Sequence, residues 1–377
     1  MSQKISTPAS SFAEPDHILL QARNVEFDWS DLPMHWIPGD PFSTHVLNVL
    51  HLLLPAGEEW FVETFKEALP LIEDEKLRED VVGFIGQEAM HSNAHSGVLV
   101  HLKENGLDPT PYTQQMEWTF SKLLGPRPMT GLRAENHLVE RLAIIAAIEH
   151  ITAFLGDWVL NAKGLDKAGM HPTMLDLLRW HGAEEVEHRS VAYDVMRYFD
   201  KRETRRIRTQ IVVTPVLVWL WIRGTRFLMR NDPELAAQAP SRRRPHLSDF
   251  IAAGKRGTVP TSFELAKRMS TYFSKSYHPS KEGSTAQAVQ YLASSPAARR
   301  PHGDFTLEGQ GRHLRSRRVA AFSGSTRSVR EEPSRPRHAH HGVVGGQVPS
   351  RVDGLRLQPR YRGPQPRHGH EHGGQHT

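Results

Sequence analysis

His171-Pro-Thr-Met-Leu-Asp-Leu-Leu-Arg-Trp-His-Gly-Ala-Glu-Glu-Val-Glu-His188 is the stretch on which the reading of this chain turns. Met174, Leu178, His181, Glu185, His188, Ala192 and Val195 recur at steps of three and four, the spacing of one helical face. Pro172 suits the first turn of such a helix, which the pattern carries from about His171 to Tyr198. Glu185 and His188 lie one turn apart on that face, so a carboxylate and an imidazole can reach one cation. A charged glutamate among apolar neighbours is costly unless it is paired or metal-bound.

The arrangement occurs a second time. Glu88 and His91 continue a row through Val81 and Phe84, with His95 and Val98 beyond, in a helical pattern from about Glu75 to Asn105. Each pair is preceded by another helical stretch carrying one glutamate on its apolar side. Over about Thr44–Ala68, Glu58 phases with Leu54, Phe61 and Phe65, whereas Glu59 falls with Pro55, Glu63 and Lys66. Over about Leu132–Leu160, Leu142, Ile145, Glu149 and Thr152 form one row. Lys and Arg are absent from all four apolar rows. A lone Glu-x-x-His match carries little weight. Two such pairs and two single glutamates on four successive helices are the ligand set of a dinuclear carboxylate site in a ferritin-like four-helix bundle. The expected ligands are Glu58, Glu88, His91, Glu149, Glu185 and His188. The expected cofactors are two divalent metal ions, iron first, with manganese or zinc as alternatives.

His95 and His181 each stand four residues from an expected ligand, on the same face. They read as further nitrogen ligands, as groups that orient a carboxylate, or as catalytic acid–base groups. His150 and Glu184 flank ligands but point elsewhere, and read as orienting or packing residues. His51 and His101 lack a matching carboxylate row and read as ordinary.

Composition narrows the alternatives. The net charge of +5 is uneven: residues 301–377 hold 13 Arg and six acidic residues, hence +7, and the first 300 residues carry −2. A basic nucleic-acid footprint belongs on a folded domain, so no nucleic-acid partner is expected. There is no cysteine, which removes disulfides, thiolate metal sites and cysteine nucleophiles. Residues 1–17 are polar, without the apolar stretch of a signal peptide, and the expected compartment is the cytoplasm.

The chain therefore reads as all-α. Residues 1–16 read as disordered and 17–43 as an extended segment, followed by the bundle over 44–200 and a helical extension over 201–298. Residues 299–377 read as a disordered, low-complexity tail, with histidine-rich runs at 337–341 and 368–372. Pro55 should kink or break the first helix. Asp108-Pro109, Pro111 and Gly125-Pro126-Arg127-Pro128 mark a linker that serves as the long crossover of the bundle. Ile211–Ile222 is an apolar run between two arginine groups (202, 205, 206, 208; 223, 226, 230). Twelve residues are too short to span a bilayer. The run is either a packed helix or, over 207–230, a peripheral membrane contact whose arginines meet headgroups. Past a linker at 231–248, two shorter helices are expected near Ser262–Ser276 and Ser284–Ser294.

Leu54-Pro-Ala-Gly-Glu-Glu-Trp-Phe61, Phe84-Ile-Gly-Gln-Glu-Ala-Met-His91, Ala147-Ile-Glu-His-Ile-Thr-Ala153 and Trp180-His-Gly-Ala-Glu-Glu-Val-Glu-His188 resemble bacterial proteins described as predicted metal-dependent hydrolases. The likeness covers roughly residues 17–298, including Tyr291-Leu-Ala-Ser-Ser-Pro296. It implies a ferritin-like helical fold, a bound metal and a hydrolytic activity. Beyond it the tail, rich in Arg and devoid of Lys, reads like a frameshifted product. The residues themselves leave three chemistries open: hydrolysis by a metal-activated water, oxygen activation by a di-iron centre, and metal binding without catalysis. A small-molecule substrate is expected, a lipid or acyl compound if the arginine-flanked run meets a membrane.

Overall fold

The carboxylate of Asp40 accepts the Ser43 N–H at 2.9 Å, and Pro41 occupies the first turn, so helix α1 runs Pro41–Ala68. In this computed structural model residues 14–15, 18–237 and 243–299 are described, and among them every regular element is helical. Pro55 does not break α1, which continues through it. The proline forfeits one backbone hydrogen bond, but buried Leu52, Leu53, Leu54, Trp60 and Phe61 hold both flanks in the core. Asp74 caps α2 (Glu75–Glu104) by accepting the Leu77 N–H at 2.8 Å.

The expected crossover is itself partly helical. It contains α3 (Thr110–Trp118) and a π-helical turn, Thr119–Leu123, with Pro111 in a first turn where its missing N–H costs nothing. Next come α4 (Leu132–Asn161), the short α5 (Lys163–Lys167) and α6 (Pro172–His188). Packing pairs α1 with α2 and α4 with α6, and α1 also meets α4. At the α4–α6 crossing, a Cβ on Gly182 would fall 2.8 Å from the Gly156 Cα, and one on Gly156 2.4 Å from the Gly182 carbonyl oxygen. Only glycines allow that approach, about a turn from Glu185.

The fourth expected helix does not reach Tyr198 unbroken. It stops at His188 and resumes as α7 (Val191–Phe199). The buried Arg189 guanidinium donates to the Val186 carbonyl, the acceptor that a continuous helix would give to the Ser190 N–H. The same side chain donates to Pro279 O at 3.1 Å and Thr285 Oγ1 at 2.8 Å, so tertiary bonds compensate the interruption.

Helix α8 (Glu203–Asn231) absorbs the apolar run and lies across α1 and α4. It is the helix, among the described residues, long and apolar enough to cross a membrane, with mean hydropathy 1.4 over 18 residues; core helices of soluble proteins pass the same test. Its N-terminal arginines are spent within the chain: Arg202 on Asp200, Arg205 on Glu140, Arg206 on Glu203 and Arg208 on Glu140. Ile211, Val212, Val216, Trp219 and Ile222 face outward. Asp232, just past α8, accepts from His35 Nε2 at 2.6 Å and His45 Nε2 at 2.8 Å, clamping the end of α8 to the start of α1.

The sequence reading missed α9 (Leu247–Arg256), whose first turn is closed by His246 and Asp249. Helix α10 (Ser262–Thr271) is shorter than expected, and α11 (Thr285–Leu292) packs on α6. Glu14, expected to be disordered, accepts the Thr285 N–H at 2.9 Å at the start of α11. Residues 1–13, 16–17 and 300–377, with the remaining readings of the N-terminus and the tail, lie outside the described residues.

Upstream of α1, the extended segment is pressed against α2. A Cβ on Gly83 would fall 2.4 Å from Leu20 Cβ, and one on Gly86 2.9 Å from Ala22 Cβ. That seat carries Arg23 to α6.

Candidate metal centre

Glu58 comes from α1, Glu88 and His91 from α2, Glu149 from α4, and Glu185 and His188 from α6. The structure brings all six together, each no more than 3 % exposed. Among the described residues, Glu88, Glu149, Glu185 and His188 offer donor atoms within 4.8 Å of one another. So do Glu58, Glu88 and His91, then Glu58, His95 and His181, and then His91, His181 and Glu185. His188 Nε2 lies 3.2 Å from Glu88 Oε1, 3.4 Å from Glu149 Oε2 and 3.5 Å from Glu185 Oε2. Atoms about 2.1 Å from one ion, at right to tetrahedral angles, are about 3.0–3.4 Å apart. The donor set fits a cation.

Hydrogen bonding gives an independent test. Both carboxylate oxygens of Glu58, Glu88 and Glu149, Glu185 Oε2, His91 Nδ1 and His188 Nε2 are buried without a hydrogen-bond partner. Buried polar atoms are rarely left so, and orphans converging on one spot call for a ligand. Among the described residues no lysine or arginine enters the cluster to neutralise it. Phe84 and Trp180 stand edge-on to the His188 and His91 rings, with centroids 4.8 and 5.2 Å apart, and pack against them.

The electrostatics record that crowding. Burial, and then neighbouring carboxylates, hold Glu58 and Glu88 well above the usual carboxyl range and push Glu149 up to about 7. Burial would also raise Glu185, but His181 and His188 outweigh it and hold that carboxyl well below its ordinary value. Burial would lower His188, yet Glu149 and Glu185 bring it to about 10. Burial, reinforced by His181, keeps His91 and His95 well below the ordinary imidazole value.

Partners outside the cluster determine which nitrogen faces inward. His188 Nδ1 donates to Gln87 Oε1 at 3.0 Å; the Gln87 amide donates to Glu187 at 3.0 Å, and Arg23 donates to Glu187 at 2.8 Å. His91 Nε2 donates to Glu184 Oε2 at 3.0 Å, and Arg23 donates to Glu184 Oε1 at 2.7 Å. His188 Nε2 and His91 Nδ1 are thereby aimed at the carboxylates, as in metal sites where a second partner orients the imidazole. The place of Glu184 beside a ligand was legible from its position. Arg23, Gln87 and Glu187 were not, because no periodicity links them to the cluster. His150 turns away, with Tyr277 Oη 2.7 Å from its Nδ1.

His51, read as ordinary, is not. Its Nδ1 lies 2.7 Å from His95 Nδ1, His95 Nε2 lies 2.8 Å from His181 Nδ1, and His181 Nε2 lies 2.8 Å from Glu185 Oε1. A donation running from His51 to His95 to His181 to Glu185 satisfies each pair. Burial takes His51 down to about 3. His101 stays apart, beside Asn105.

A cavity of about 630 Å³ opens against His181 and Glu185 and runs out between α1, α4, α6, α8, α9 and α10. No curated protein and no solved structure matches this chain. The model of one family matches residues 21–283, the span that holds every residue of the cluster and of the histidine file: the chain belongs to the predicted metal-dependent hydrolases.

Proposed function

We propose that the cluster holds two divalent ions and that the protein is a hydrolase working through a water bound between them. One observation carries the reading: the orphaned oxygens of Glu58, Glu88, Glu149 and Glu185 converge on one buried spot where, among the described residues, no lysine or arginine neutralises them. Glu88, Glu149, Glu185 and His188 would hold one ion. Glu58 and His91, with a shared carboxylate, would hold the other. Carboxylate pairs on facing helices give the arrangement its ferritin-like character. When bound, the ions supply a water acidified to near neutrality and positive charge for a developing oxyanion.

The chain's own residues do the rest. Gln87 and Glu184 keep the His188 and His91 rings in register. Phe84 and Trp180 pack edge-on against those rings. His181 touches both Glu185 and the cavity; with the donation along the histidine file reversed, its Nε2 is free to hold the proton that a reacting group gives up. His95 and His51 continue that hydrogen-bonded file.

An oxygen-activating di-iron oxidase acting on an apolar or acyl compound is the second reading, favoured by the carboxylate-rich donor set and the apolar cavity. The test is anaerobic purification, metal analysis, and assay of ester turnover beside an oxygen-exposure spectrum. Two metals per chain with oxygen-independent turnover supports hydrolysis. Two irons whose absorption changes on adding oxygen, without ester turnover, overturns it in favour of oxidation. Metal binding with neither response leaves a non-catalytic metal protein. His181→Ala should keep both ions and lose about 100-fold or more in turnover; loss of an ion instead makes His181 a ligand.

A further inference from the structure

The cavity at the cluster has a chemistry of its own. Its inner end is polar, where His181 and Glu185 face it. Outward its walls include Leu47, Leu50, Leu155, Leu178, Leu217 and Trp221. The indole N–H of Trp221 is already spent on the Val46 carbonyl at 2.7 Å. A polar ligand atom beside these leucines and the indole would lose its water without finding a partner there. The volume, about 630 Å³, lies within the range of small-molecule sites. At the outer end Val218, Ile222 and Leu247 reach solvent, at 39 %, 47 % and 72 % exposure, beside exposed Arg226 and His246, so apolar lining continues to a mouth with a polar rim. A second, much smaller cavity of about 40 Å³ reaches Glu58 and shares Leu50, Leu155, Leu217 and Trp221 with the first.

Resting on the hydrolytic reading above, we propose that the substrate is an ester with one long unbranched hydrocarbon chain on one side of its carbonyl and a small group on the other. The chain lies along the large cavity, the carbonyl stands at Glu185 and His181, and the small group turns toward Glu58. In the reaction the bond from the acyl carbon to the alkoxy oxygen breaks and a bond to the water oxygen forms. One water proton leaves with the alcohol and the other is released by the acid; no electrons are exchanged. Both a fatty-acid methyl ester and a fatty-alcohol acetate satisfy this description.

The experiment uses the full chain loaded with manganese. Binding is read by calorimetry with 2-tridecanone, a ketone that cannot be hydrolysed, against 2-pentanone. Each buried methylene is worth about fourfold in affinity, so the long ketone should bind more than about a hundredfold tighter. Leu217→Trp and Leu155→Trp, which fill the cavity from α8 and α4, should each lose about tenfold or more while retaining metal. Turnover is then compared along two series of C4 to C12 chains, methyl esters and alkyl acetates, and the series that rises with chain length shows which side of the carbonyl carries the chain. Equal binding of the two ketones overturns the inference whether or not the variants fold. Turnover that ignores chain length overturns it too, while leaving the hydrolytic reading intact. Tight 2-tridecanone binding without turnover of any ester has the opposite meaning: the chain site stands and hydrolysis falls.

Discussion

Arg23 and Glu184 are 161 positions apart in the chain and 2.7 Å apart in space. Through that contact the extended segment upstream of α1 determines the orientation of a ring at the centre of the protein. Glu184 holds His91, and the same guanidinium holds Glu187, which holds Gln87, which holds His188. One surface-fed cation thus braces the two imidazoles whose free nitrogens face the carboxylates. It does not neutralise the carboxylates themselves.

Arg23→Ala should therefore weaken metal binding without removing a ligand. Partners of this kind are worth about 10–100-fold in affinity. Competition against a calibrated chelator would measure it. Arg23→Lys should recover little, because one ammonium cannot reach Glu184 and both Glu187 oxygens as the guanidinium fork does. Unchanged affinity in both variants would make Arg23 merely a surface tie.

Glu88→Gln separates function from stability. The Glu88 side chain is buried, unbonded and held well above its ordinary pKa by burial and by Glu149. An amide carries no charge to desolvate, so the metal-free variant should unfold at a higher temperature than the metal-free parent at pH 8. It should at the same time lose stoichiometric metal. Glu63→Ala, on an exposed turn of α1, should do neither. A variant that is less stable without metal and still binds two ions would remove Glu88 from the ligand set.

The placement of Glu88 shows how far sequence reasoning reaches. Glu58, Glu88, Glu149 and Glu185 were found because helical spacing alone sets which side of a helix a residue occupies, and a carboxylate on the apolar side is conspicuous. His51 was overlooked by the same logic: its importance comes from a ring on another helix, His95, and no pattern within α1 signals that. Helices α3 and α9 escaped because prolines and polar residues mark turns equally well when they sit in a first helical turn. The break after His188 was invisible for a related reason. It depends on what Arg189 finds in the segment 279–285, nearly a hundred residues later.

The pH dependence of stability should reverse when metal is added. Without metal, Glu149 is held up to about 7, Glu58 and Glu88 well above the usual range, and His188 up to about 10. All four lie above their unfolded values, so the folded chain keeps protons that the unfolded chain has released. Stability then falls as pH rises through them. The neutral buried rings of His51, His91 and His95 act oppositely, but only below about 6.5, where unfolded imidazoles take up protons. From pH 7 to 9 the metal-free protein should lose thermal stability steadily. Saturating manganese should flatten or invert that slope, since ionised ligands then have a partner. Parallel slopes with and without manganese would mean that no metal meets these groups.

Gly182→Ala tests whether the backbone crossing sets the ligand geometry. A methyl there would press on the Gly156 Cα at 2.8 Å and on Val159 Cγ1 at 2.7 Å, so α4 and α6 must part. Overpacking of this kind costs about 1–3 kcal/mol, measurable by urea unfolding. Glu149 and Glu185 ride on the two helices that separate, and their distances to His188 are already those of a shared ion. Metal affinity should therefore fall together with stability, and restoring stability with an osmolyte should not restore the affinity. Gly164→Ala, a comparable backbone clash against Gly257 away from the cluster, should lower stability alone. If both variants lose stability and neither loses metal, the close approach of α4 and α6 serves packing, and the spacing of the carboxylates is set elsewhere.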